Sequence, residues 1–160
     1  MAELVVDQAL RELDGCLPVH PPPQIAGAES KNSEDEVQRA LAALQAEGWR
    51  LRHSLPWQGQ GDIDSVAIAP SGIAIAVETK PRTYDVRHLD RVHEQAAWLT
   101  RRRRRWCRNG AFPVLCLVRA RDVQRFEQAV LVVSIDRLGD VMCSVAGVLD
   151  PRRGDAESAG

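Results

Sequence analysis

The stretch that most restricts the fold runs from Gly61 to Lys80, where two apolar-rich segments, Asp62 to Ala69 and Ile73 to Lys80, flank Pro70, Ser71 and Gly72. Proline first and glycine last suit a three-residue connection built on a type I turn and closed by a left-handed glycine. The two segments therefore read as a β-hairpin in which Ala69 pairs with Ile73. Counting back along both arms sets Asp64 opposite Glu78 and Asp62 opposite Lys80, all on one face. Directly opposed Cβ atoms lie roughly 4.5 to 5.5 Å apart.

Two carboxylates at that separation repel and weaken the sheet unless a cation sits between them. A divalent metal supplies one. Magnesium takes a few carboxylate oxygens and completes its shell with water and phosphate oxygens, which suits acids at an exposed strand end. Lys80, two residues after Glu78, projects from the same face and reaches toward a bound water or phosphate. Arginine would not serve equally, because its guanidinium stays protonated. Lys31 and Lys80 are the only lysines among 21 basic residues, so a lysine at this position stands out. Asp62, facing Lys80, reads as an ion-pair partner rather than a ligand.

The run Gly-Asp-Ile-Asp-Ser-Val-Ala-Ile-Ala-Pro-Ser-Gly-Ile-Ala-Ile-Ala-Val-Glu-Thr-Lys, residues 61–80, resembles the core signature of the nuclease-related (NERD) family. That signature is an Ile-Asp pair, an apolar strand, a Pro-x-Gly turn, a second apolar strand and Glu-x-Lys. The parent class, the PD-(D/E)XK nucleases, includes restriction endonucleases and archaeal Holliday-junction resolvases. The resemblance implies a metal-dependent nuclease acting on phosphodiester bonds, with DNA the expected substrate and Mg2+ or Mn2+ the expected cofactor. It implies that Asp64 and Glu78 bind the metal, that the Thr79 carbonyl adds a ligand, and that Lys80 positions or activates the attacking water. The family also carries a Gly-Glu at the start of its first core helix. Here Ser33 replaces the glycine, and Glu34 shares the inward face of Val37 and Leu41. A glutamine in the helix after the Glu-x-Lys strand is common in the family, and Gln95 fits. The catalytic set is then Asp64, Glu78, Lys80, Glu34 and Gln95. The alternative is a catalytically silent nucleic-acid-binding or partner-docking module of the same fold.

The remaining chain reads around that hairpin. Ala2 to Leu13 reads as a short amphipathic helix, and the proline-rich stretch Cys16 to Lys31 as an extended connector. Ser33 followed by Glu36 is a capping-box pattern for a helix over residues 34–47, ended by Gly48. Trp49 to Leu55 alternates as a half-buried strand, Leu89 to Arg105 reads as a helix, and Phe112 to Val118 and Ala129 to Ser134 as buried strands. Asp122 to Glu127 reads as a helical or turn link, and Ile135 to Val148 fits either helix or strand. The expected division is an arm and connector over 1–29, a nuclease-like domain over 30–148 and a frayed tail over 149–160. The fold class is α/β, a restriction-endonuclease-like mixed sheet with helices on both faces.

A net charge of −1 over 160 residues excludes a uniformly basic surface, so nucleic-acid contacts must come from local clusters. Arg101, Arg102, Arg104 and Arg105 form one candidate, read equally well as a solvated helix C-terminus complementing the dipole. Four cysteines without Cys-x-x-Cys spacing argue against a zinc knuckle or a disulfide framework. The start of the chain lacks a secretory pattern and no apolar run reaches the roughly 20 residues of a bilayer span, so the expected setting is cytoplasmic, away from membranes. A homodimer or a larger nuclease complex is the expected assembly.

Overall fold

The computed structural model of the chain describes residues 23–151. Helix α1 (Pro23–Ala42) runs into a 3-10 segment (Ala43–Glu47) that Gly48 ends at φ 86°. Strands β1 (Arg50–Pro56), β2 (Asp62–Ile68) and β3 (Ala74–Lys80) follow, then helix α2 (Val86–Arg102). The chain continues through β4 (Ala111–Leu117), β5 (Gln124–Glu127), β6 (Val130–Ser134) and helix α3 (Ile135–Val148). The six strands form one sheet in the order β1-β2-β3-β4-β6-β5. β1, β2 and β3 pair antiparallel, β4 joins β3 and β6 in parallel, and β5 closes the far edge antiparallel.

Strand alternation divides the core between two faces. On one, Ile75, Val77, Cys116 and Val133 pack with Val37 and Leu41 of α1 and Leu138 and Met142 of α3. On the other, Ala74, Ala76, Leu115 and Val132 pack with Leu89, Val92, Ala96 and Leu99 of α2. This is the expected α/β sheet covered on both sides. Cover on both faces explains why β3 is apolar from Ala74 to Val77, β4 along its length and β6 up to Val133, since strands covered twice have no face to give to water.

Several expectations are corrected. The connector reading fails over Pro23 to Lys31, which is helical; three consecutive prolines end at the first turn, where a missing N–H costs nothing. Ser33 is consequently mid-helix and caps nothing: its hydroxyl donates to the Glu29 carbonyl at 2.8 Å, while Glu36 pairs with Arg119 at 3.2 Å. Residues 124–127, expected as part of a helical or turn link, are strand β5. Gln128 and Ala129 join it to β6 as a two-residue turn with φ of 49° and 62°. Helix α2 begins three residues before Leu89 because Asp85 caps it, accepting from the Arg87 and His88 N–H groups while His88 Nδ1 accepts from the Asp85 N–H. Residues 135–148 are helical. The helix expected over residues 2–13, the first part of the connector and residues 152–160 of the tail lie outside the described residues. Cys107 and Cys116 are buried and Cys143 is exposed, all as free thiols.

The hairpin turn forms as its residues dictate: the Ala69 N–H donates to Ile73 O at 2.8 Å and the Gly72 N–H to Ala69 O at 2.9 Å. Gly72 sits at φ 84°, and a Cβ there would come within 2.5 Å of the Arg108 side chain, whose guanidinium donates to Pro70 O. Gly72→Ala should therefore lower stability by about 1–2 kcal/mol through backbone strain and a displaced Arg108. Gly59→Ala, at φ 68° with open space around it, should cost less. Calorimetric melting of both variants checks this, and equal losses would show that the Arg108 contact contributes nothing.

Candidate active site

The register read from the turn holds over most of the hairpin, with Ile68 opposite Ala74, Ala67 opposite Ile75, Val66 opposite Ala76 and Ser65 opposite Val77. Pairing stops there, one step before the acids. β1 is interrupted at the same level. Its pairing with β2 runs from Arg50–Ile68 to His53–Ser65, skips Ser54 and Asp64, and resumes at Leu55–Ile63. Ser54 is left-handed at φ 50°. Before the skip, Leu51 and Ala67 pack on the α1 and α3 face; after it, Leu55, Trp57 and Ile63 pack on the α2 face. The β1-β2 hairpin thus rolls over the sheet and leaves the end of β3.

Asp64 stands at that parting and makes a contact the counting did not foresee: its Oδ2 accepts the Thr79 N–H at 2.8 Å. Within one strand residue the N–H and C=O point to the same side. The Thr79 carbonyl therefore also faces the parting, while the Lys80 carbonyl turns to β4 and accepts from Val118 at 3.0 Å. Glu78 and Lys80 fall on the α2 face with Ala74 and Ala76. Glu78 is 4 % exposed. Its Oε1 lies 3.0 Å from Lys80 Nζ, and its Oε2 is buried with no hydrogen bond, the Arg91 guanidinium being 4.0 Å away. That distance gives attraction without a hydrogen bond.

The expectation that Lys80 pairs with Asp62 is overturned: Lys80 pairs with Glu78. Asp62 has departed with β2, stands opposite Pro56 of β1 and is exposed, and its carbonyl accepts from Arg91 at 3.3 Å. Glu34 is half-buried on α1 and feels the field of Glu78, Lys80 and Asp64. Gln95 is fully buried one turn beyond Arg91, and neither amide atom has a partner. Arg101 and Arg102 are exposed at the far end of α2, remote from the acids along the helix; Arg104 and Arg105 are exposed in the turn beyond it, since the helix expected to reach Arg105 ends at Arg102. Arg91 is the residue that sequence reasoning missed. Its i−4 relation to Gln95 was visible, but its contact with Glu78 depends on how α2 lies on the sheet.

The electrostatics follow from crowding. Burial, then the neighbouring Glu78 charge, lifts the Asp64 carboxyl from 3.8 to about 7, against the lowering effect of the Thr79 hydrogen bond. Burial and Glu78 also raise Glu34. Acids that resist ionisation in one place are short of positive charge, and Glu78 Oε2 still lacks a partner. Two carboxylates and a backbone carbonyl suit a magnesium ion, which needs few protein oxygens. Among the described residues no three His, Cys, Asp or Glu side chains are gathered as a metal cage, so water and substrate must complete any shell.

A scan against protein-family models matches the nuclease-related domain (NERD) over residues 29–126, most of the chain. The chain belongs to the NERD family. The match opens within α1 and closes within β5, so it takes in β1 to β4 and every candidate residue from Glu34 to Arg105. Searches of curated proteins and of solved structures found no match. Among its described residues this NERD domain has no helix long and apolar enough to cross a membrane.

Two expected outcomes test the site without any cleavage assay. An acid whose folded value is raised destabilises the fold above its unfolded value, fully so beyond about 7. Asp64→Asn keeps an acceptor for Thr79 and removes the charge, so in chelator at pH 8 it should stabilise by about 1–2 kcal/mol after allowing for hydration, with the gain fading toward pH 4. A melting temperature at pH 8 no higher than that of the parent would contradict the crowding. Gln95→Met replaces two unpartnered buried atoms and should stabilise the metal-free protein by about 1 kcal/mol; a loss instead would mean that the amide is satisfied.

Proposed function

We propose that this NERD domain is a divalent-metal-dependent nuclease that hydrolyses phosphodiester bonds in DNA. The observation that carries the reading is the parting of β2 from β3, which leaves Asp64, Glu78 and the Thr79 carbonyl around one gap with a buried carboxylate oxygen unbonded. Mg2+ or Mn2+ held by these three groups would lower the pKa of a bound water and offset charge on the phosphate. The chain's own residues set the rest. Glu78 is anchored on a strand paired with β4 as far as Lys80 and Leu117. Lys80, partly exposed and tethered to Glu78, is placed to donate to the attacking water and to a phosphate oxygen. Glu34 closes the acidic side from α1. Gln95 offers a donor and an acceptor from α2 to orient water or substrate.

Plasmid nicking with Mg2+ or Mn2+, with and without chelator, tests the reaction. Asp64→Ala and Lys80→Ala should each lower the rate by about 10²–10⁴-fold, the range for removing one positioned catalytic group. Calorimetric titration separates their roles: Asp64→Ala should lose Mg2+ binding and Lys80→Ala should retain it. Equal nicking by parent and variants would assign the cleavage to a contaminant. Metal uptake without nicking of any nucleic acid would leave a binding module in place of an enzyme.

A further inference from the structure

Helix α2 carries a second stripe beside its core-facing one. Arg91, Gln95, Trp98 and Arg102 are spaced four, three and four residues apart, so they line one flank of the helix. That flank meets the β1-β2 connection twice. The Arg91 guanidinium lies over the Trp57 ring, 5.4 Å from its centroid. Farther along, Trp98, Arg102 and Arg103 line a cavity of about 470 Å³ together with Gln58 of the connection. Arg91 to Arg102 spans 11 residues, roughly 16 Å at 1.5 Å per residue. The acids and the cavity are therefore the two ends of one seam.

The seam is chemically prepared for an anionic, flat ligand. Arg103 lies between Trp98 and Trp106, 5.6 and 5.2 Å from their centroids, and Arg52 of β1 lies 5.7 Å from the Trp106 ring. Among the described residues no acid pairs with Arg101 to Arg105, although the chain as a whole carries a net negative charge. Two buried side chains along the same seam have polar atoms without partners: Trp57 Nε1 and both amide atoms of Gln95. Guanidinium planes and tryptophans are the groups on which unstacked bases settle, and unpaired arginines gain from displacing phosphate counterions.

Resting on the nuclease reading above, we propose that the groove between α2 and the β1-β2 connection binds an unpaired nucleic-acid strand, with one unstacked nucleotide in the Gln58–Trp98–Arg102–Arg103 cavity. A base stacked on both sides in a duplex has no free face to offer to Arg102, Arg103 and Trp98, whereas an unstacked one has. The preferred substrate is thus a single strand, a flap or a frayed end, one nucleotide of which sits at the end of α2 away from the acids.

The test is fluorescence anisotropy in chelator, so that neither metal nor cleavage enters, using a labelled 12-nucleotide single strand and a duplex of the same length. The parent should bind the single strand at least 5-fold more tightly than the duplex. Arg102→Ala, at an exposed position with no ion pair among the described residues, should melt like the parent and remove most of that preference. Arg104→Ala, outside the cavity, should weaken both ligands alike. Duplex bound as tightly as single strand by the parent, or a preference unchanged in Arg102→Ala, would overturn the proposal. No nicking by the parent in Mg2+ or Mn2+, with its strand preference intact, would instead count against the nuclease reading alone.

Discussion

The hydrogen bond from the Thr79 N–H to the Asp64 carboxylate is the contact on which the rest of the arrangement turns. In an uninterrupted ladder that N–H would face the backbone of β2. Here a side chain takes the position, so β2 can leave β3 without stranding a buried donor, which would otherwise cost about 1–3 kcal/mol. The departure leaves the Thr79 carbonyl turned toward the gap, although the residue itself stays buried. One residue thus satisfies the wound in the sheet and contributes an acid to it.

The charges around the gap are balanced from one side only. Lys80 and Arg91 both approach Glu78, whereas Asp64 has the Thr79 N–H, a weaker pull from Lys80 and the opposing field of Glu78 and Glu34. Burial first and the Glu78 charge second lift Asp64 to about 7, and the same two causes raise Glu34 from the opposite helix layer. Arg91 has a double tie, to the Asp62 carbonyl and to the Trp57 ring, so the same guanidinium joins the β1-β2 connection to α2 and holds positive charge near Glu78.

Much of this was legible in the sequence because the hairpin is a local object. Pro70, Ser71 and Gly72 fix a turn type, the turn fixes a register, and the register brings Asp64 and Glu78 to neighbouring positions without any knowledge of the rest of the fold. What escaped was non-local. The roll of β2 away from β3 coincides with a left-handed Ser54 on another strand, a residue with no turn signature, and it takes Asp62 away from Lys80. The β5-β6 turn was hidden because Gln128 and Ala129 stand where asparagine and glycine usually serve. The start of α1 was misjudged since a Ser-x-x-Glu pattern looks the same mid-helix as at a cap. Nothing in the chain before Glu34 outweighed the prolines. Arg91 could be named only once α2 had been laid against the sheet.

The two walls of the gap are built differently. Glu78, Thr79 and Lys80 belong to a strand paired with β4 along its whole length and backed by helices on both sides, so that wall is stiff. Asp64 belongs to a hairpin whose outer strand has no further neighbour among the described residues and whose ladder is already broken at its own position. Any adjustment of the opening to a larger or smaller occupant falls on the hairpin, making it a compliant jaw closing on a fixed anvil.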